Sequence, residues 1–190
     1  MGFLDALLGR TKPVPPNLDQ LFALPSAAIT LQAATDFSPT GTGSVCFRAP
    51  EGKAFSDIEH DVRDLLNMGK NKTPVEVSAD SYGFTWLVCS HSPDDIEGLV
   101  TDLHAVNSSL ELGGFGPQLL CTILSFRDSS ARRLGLVYLY KRGTFYPLAP
   151  LPGERRDNAL ELQIRGVLTD DLKVEPDLSR WFPVWGAPGL

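Results

Sequence analysis

The apolar positions change period several times along the chain, and each change marks a predicted element. Phe3, Leu4, Leu7 and Leu8 fall at helical spacing, which predicts a short amphipathic helix over residues 3–8. The following Thr11-Lys12-Pro13-Val14-Pro15-Pro16 holds three prolines, which favour extended backbone and make it a linker. Asn17-Leu18-Asp19-Gln20-Leu21-Phe22 reads as one helical turn, stopped ahead of Pro25 because proline disfavours helical backbone in the residue before it. Alternation over residues 28–33 predicts a strand, and residues 44–48 predict another after the Gly41-Thr42-Gly43 turn. Ser56 and Glu59 then have capping-box spacing, with Ile58, Val62, Leu65 and Leu66 on one helical face and Gly69 as the stop.

Residues 75–78 and 84–89 predict a hairpin around Asp80-Ser81-Tyr82-Gly83. Ser92-Pro93-Asp94-Asp95 supplies a cap, a first-turn proline and acids suited to a helix dipole. The stripe Ile96, Leu99, Val100, Leu103 and Val106 continues that helix to Gly113-Gly114. A three-stranded meander over 119–126, 134–140 and 144–148 follows. Pro152-Gly153-Glu154 then opens a last helix that turns Leu160, Ile164, Val167 and Leu168 inward. The aromatic, proline-broken tail over 178–186 is expected to pack back on the body, since such surface is costly to leave in water.

Strands and helices in this order predict an α+β fold, with a mostly antiparallel sheet carrying its helices on one face. The strand, turn and capped helix after Phe84 resemble those after Phe145, which raises an internal duplication of ββα type. The expected organisation is an amphipathic segment over 1–12, a proline-rich linker and helical turn over 13–25, and one α+β domain over 26–190.

Composition narrows the function classes. With 190 residues the chain can bury a core without disulfides or a structural metal. Its net charge of −6 opposes a broad electrostatic role on nucleic acid, which needs a clustered basic face. The short basic groups Lys70/Lys72, Arg132-Arg133, Lys141-Arg142 and Arg155-Arg156 read as solvated turns or helix starts. Cys46, Cys89 and Cys121 sit at wide spacing in apolar stretches, so they are expected as buried free thiols in a reducing cytosol. No apolar run reaches the roughly 20 residues that span a bilayer, and Asp5 interrupts the N-terminal apolar stretch too early for a signal peptide. The expected location is the cytoplasm, with membrane contact at a surface.

Reactive constellations are scarce. Gly41-Thr42-Gly43 and Gly113-Gly114-Phe115-Gly116 lack the lysine and hydroxyl residue of a phosphate loop. Cys89 and His91 are the one close pair of soft ligands, with Cys46 and Cys121 the candidates to complete a metal site; buried strand cysteines are the favoured reading. Catalytic, cofactor and metal residues are therefore expected to be none. An enzymatic or ligand-binding cleft around Tyr82, Cys89 and His91 stays as an alternative. The remaining candidates are contact surfaces: Phe3, Leu4, Leu7 and Leu8 at one end, Trp181, Phe182 and Trp185 at the other. Burying four large side chains falls short of the entropy of ordering about ten residues, so the first group needs its own domain, a partner or lipid.

Three strings carry a family resemblance: Met1-Gly2-Phe3-Leu4-Asp5-Ala6-Leu7-Leu8-Gly9-Arg10, Leu18-Asp19-Gln20-Leu21-Phe22-Ala23-Leu24-Pro25, and Pro176-Asp177-Leu178-Ser179-Arg180-Trp181-Phe182-Pro183-Val184-Trp185-Gly186. Together with Gly153-Glu154-Arg155-Arg156-Asp157-Asn158 they resemble the PspA-associated protein PspAB family over nearly the whole chain. The resemblance implies no enzymatic activity, no cofactor and no catalytic residue. It implies association with PspA, a protein of membrane stress, or with another stress-response protein. The expected role is a non-enzymatic adaptor or regulatory protein in a phage-shock-type envelope stress response. Peripheral contact with the inner face of the membrane through residues 1–12 and a homodimer remain open. A chaperone-like client-binding module is the first alternative.

Overall fold

Proline at position 25 starts a helix instead of ending one. The computed structural model describes residues 16–48, 60 and 75–190. A 3-10 helix (Leu18–Ala23) feeds directly into α1 (Leu24–Ala34), whose first turn contains Pro25. A first-turn proline is tolerated because its missing N–H would have no helical partner there. Leu24, Ala27, Ala28 and Leu31 form the buried stripe, whereas Ile29 is 71% exposed. The strand expected over 28–33 is therefore corrected to helix: the i, i+3, i+4, i+7 series beginning at Leu24 outweighs the brief alternation inside it.

The other elements follow the predicted pattern more closely. β1 (Ser38–Phe47) begins earlier than expected, and β2 (Glu76–Ala79) and β3 (Thr85–Ser90) form the expected hairpin. α2 (Ile96–Leu110) is capped by Asp95, whose side chain accepts from the Gly98 N–H. The meander comprises β4 (Leu119–Arg127), β5 (Arg133–Leu139) and β6 (Thr144–Leu148). Pro152, Gly153 and Glu154 do not open the last helix; they turn the chain between the short strands β7 (Pro150–Leu151) and β8 (Arg155–Arg156). α3 (Asn158–Leu168) starts at Asp157, which accepts from the Leu160 N–H at 3.0 Å. An acid at the cap position is the stronger start signal, because it satisfies an otherwise orphaned donor.

The six long strands form one antiparallel sheet in the order β2-β3-β1-β4-β5-β6. This is an α+β fold with a mostly antiparallel sheet. Helices α1, α2 and α3 cover one face, where Leu31, Leu103 and Ile164 meet Val45, Leu87 and Phe126. Gly43 permits close approach there, since a Cβ at that position would lie 2.6 Å from Leu103 Cδ1. Asn107 of α2 adds a polar tie, donating to the Thr122 hydroxyl at 2.9 Å. On the opposite face Trp86, Ile123, Val137 and Tyr146 are covered by Trp181 and Ala187, so the tail packs back as expected.

The internal duplication is not confirmed. In the second half β4, β5 and β6 run outward from the sheet centre in chain order, whereas in the first half β1 is followed outward by β3 and then β2. The predicted helix over 3–8 and the contact candidates Phe3, Leu4, Leu7 and Leu8 lie outside the described residues. The predicted helix over 56–69 does too, apart from the exposed, helical His60. No helix among the described residues is long and apolar enough to cross a membrane.

Ile29 and Leu31 discriminate the corrected element. On a strand they would share a face; on α1 only Leu31 is buried. Ile29→Lys should change unfolding free energy by no more than about 0.5 kcal/mol, while Leu31→Ala should lower it by about 2–5 kcal/mol in urea titrations.

Candidate binding cleft

The sheet face away from the helices carries the main concavity among the described residues. One side chain from each of four adjacent strands builds its floor: Trp86, Cys46, Cys121 and Leu139 lie opposite one another across β3, β1, β4 and β5. Between the pairs Cys46↔Cys121 and Phe47↔Leu119 the register slips, leaving Leu120 as an extra residue. That bulge lets Leu120 join Cys121 in lining the same cleft. The tail residues Phe182, Pro183, Val184 and Trp185 form the other wall, enclosing about 560 Å³.

The tail is held there by specific bonds. Trp181 stacks on Tyr146 with ring centroids 5.9 Å apart, and its indole N–H donates to the Glu175 carbonyl at 3.0 Å. The Tyr146 hydroxyl donates to the Phe182 carbonyl at 2.7 Å, and Arg156 donates to the Trp181 carbonyl. Arg156 is itself fixed by Glu161 of α3, with Nε 2.9 Å from Oε1. Glu175 is fully buried and accepts from the Thr144 hydroxyl at 2.7 Å and Arg142 Nε at 3.1 Å. Burial alone would raise the Glu175 pKa, but these donors hold it below the usual carboxylate value.

The hairpin end of the cleft depends on Asp80. One carboxylate oxygen accepts from the N–H groups of Tyr82 and Phe84 at 2.8 and 2.9 Å, and the other from Trp86 Nε1 at 2.9 Å. Despite the opposing effect of burial, these donors depress its pKa. The Cys46 thiol is neutral: the adjoining Cys121 sulfur, and then burial, push its pKa far up. Cys46, Cys89 and Cys121 are all buried thiols outside any disulfide, as the spacing predicts.

The three contact candidates of the tail occupy different environments. Trp181 is buried as a structural anchor, Phe182 is 57% exposed, and Trp185 is half-buried in the cleft wall. The alternative grouping of Tyr82, Cys89 and His91 does not form one site. Cys89 belongs to the helix-side core, whereas Tyr82 lines the cleft on the other side and donates its hydroxyl to Glu154. His91 is bridged between two acids, with Nδ1 2.7 Å from Asp95 and Nε2 2.8 Å from Asp102.

Lys141 and Arg142 lie on an exposed turn, as expected, at the mouth of the cleft, and Arg142 also pairs with buried Glu175. Of Arg155-Arg156, Arg155 is exposed as expected, whereas the solvated reading of Arg156 is corrected, since it pairs with buried Glu161. Acid partners 5 and 33 residues away could not be assigned from local pattern.

The family model described as PspA associated protein B matches residues 1–189. Neither a curated protein nor a solved structure matches the chain.

Removing the Asp80 carboxylate with Asp80→Ala strands three donors and should cost about 1–3 kcal/mol in urea unfolding, with a changed Trp86 emission. His91 gives a pH signature. Burial lowers its pKa, but the bonds to Asp95 and Asp102 outweigh this and raise it above 6.5. Its stabilising contribution is thus present below the unfolded value and is lost as pH rises through the higher folded value. The melting-temperature advantage of the native chain over His91→Gln should shrink by a few degrees between about pH 5.5 and 9.

Proposed function

Because the chain belongs to the PspA associated protein B family, we propose that it acts in the Psp system as a non-enzymatic adaptor or regulatory partner. The family description carries association with PspA, and that association suggests a contact role rather than catalysis. On this reading the chain works at the inner face of the membrane during envelope stress, meeting PspA through protein surfaces.

The observation that most supports a contact role is the aromatic tail. Phe182 presents its ring to solvent while its carbonyl is bonded to Tyr146, so the side chain projects from an anchored backbone. A pre-positioned aromatic loses less freedom on binding than one on a loose segment. Trp185 lies beside it at the cleft wall. Phe3, Leu4, Leu7 and Leu8 are the second proposed contact group, with amphipathic spacing suited to a partner groove or a lipid surface.

Capture of PspA from native-host lysate by the full chain tests the proposal. Phe182→Ser should lower recovery about tenfold while leaving the melting temperature within a few degrees. Leu4→Ser with Leu7→Ser should lower it similarly if the N-terminal group contributes. Undiminished recovery in both folded variants would overturn these contact assignments, and no recovery by the native chain would overturn the adaptor role.

A further inference from the structure

The cleft beneath the tail has one cationic end and an apolar length. Arg142 pairs with Glu175, Arg180 pairs with Asp177, and the Asp177 N–H donates to Glu175 at 3.2 Å. This run gathers both guanidiniums near the β5–β6 turn, where Lys141 also lines the cleft. Each guanidinium keeps further N–H donors beyond those its acid uses. Lys141 is in none of the ion pairs among the described residues. At the other end Asp80 supplies a negative charge whose acceptor oxygens are already engaged. The floor between β3 and β5 crosses three strand spacings, about 14 Å, and is lined by Trp86, Cys46, Cys121, Leu120 and Leu139.

From this polarity we infer that the cleft binds a single-chain anionic amphiphile, specifically a free long-chain fatty acid. The acyl chain lies on the floor, and the carboxylate meets Lys141, Arg142 and Arg180. Asp80 at the far end fixes the orientation by repelling the carboxylate. The volume of about 560 Å³ falls within the roughly 300–1,000 Å³ typical of small-molecule sites. A peptide suits the floor poorly: β3, β1, β4 and β5 each have a neighbour on both sides, so no strand edge is exposed beneath it. Peptide N–H and C=O groups would lie unpaired on apolar surface, whereas an acyl chain has none to satisfy. This inference goes beyond the adaptor role, since it concerns the space under the tail rather than the tail's outer surface.

Intrinsic fluorescence reports the site directly. Trp86 and Trp185 line the cleft, and Trp181, the third of the chain's three tryptophans, stacks on the lining residue Tyr146. In the full chain, dibrominated stearic acid should quench emission saturably, and its uncharged methyl ester should bind at least about tenfold more weakly. Lys141→Glu, an exposed change, should weaken the acid about tenfold and leave the ester unchanged. Val184→Trp, which fills the roof side, should abolish quenching by both, with circular dichroism confirming that each variant is folded. Non-saturable quenching, equal affinity for acid and ester, or an acid affinity indifferent to Lys141→Glu would overturn the assignment and leave the cleft to a protein segment. Quenching by brominated phospholipid vesicles but not by the free acid would overturn it in favour of a membrane surface. PspA capture is read separately, so either proposal can fail while the other stands.

Discussion

The indole of Trp181 lies against Tyr146 with its N–H tied to the Glu175 carbonyl, and this seat commits the tail to the sheet face opposite the helices. Without it, Trp86, Ile123, Val137 and Tyr146 would present a broad apolar surface to water. An α+β sheet with helices on one side faces this problem whenever its other side is apolar. Here it is solved by a segment without regular structure, which covers part of the face and leaves a cleft over the rest.

The seat is held from behind by two buried carboxylates. Glu175 secures the stretch before Trp181 through Arg142 and Thr144, and Glu161 orients Arg156 toward the Trp181 carbonyl. Each acid is satisfied by a cation and by further donors, including the Ala149 N–H for Glu161 and the Asp177 N–H for Glu175. Such pairs contribute little net energy relative to apolar packing, but losing one partner leaves a buried charge uncompensated. Their effect is to fix one tail position, which allows the cleft beneath it to keep a defined shape and polarity.

Much of the fold was legible because the relevant signals are local. The hairpin, the apolar stripe of α2 and the meander could be read from period alone, and the return of the aromatic tail from its composition. Ser92-Pro93 reads as the start of α2, which falls at Asp95. Two other boundaries misled. Leu24 to Leu31 is a helical series, but Ala28, Ile29 and Leu31 also fit a short alternation, and the proline before them serves at a helix start as well as at a stop. At the last helix, Pro152-Gly153-Glu154 has the composition of an opening turn, yet the cap falls later, on Asp157. The cleft was less legible because it is assembled from residues remote in sequence. Cys46 and Cys121 become neighbours only through strand pairing, and Leu120 joins them only through a bulge. The acid partner of Arg142 is hidden for the same reason: Glu175 reaches it through tertiary structure from 33 residues away.

The stretch leading to Trp181 also runs beside β6. Phe145 N–H donates to the Lys173 carbonyl at 2.9 Å, Glu175 N–H donates to the Phe145 carbonyl at 2.7 Å, and Val174 pairs with Phe145 in a single parallel bridge. One margin of the sheet is thereby occupied by the protein's own chain, while β2, four residues long, forms the opposite margin. Among the described residues, self-association by sheet extension consequently has one direction, β2 against the β2 of a second copy. Such a pairing is two-fold symmetric and joins the two β2 margins at once, so it ends at a closed dimer instead of propagating into a filament.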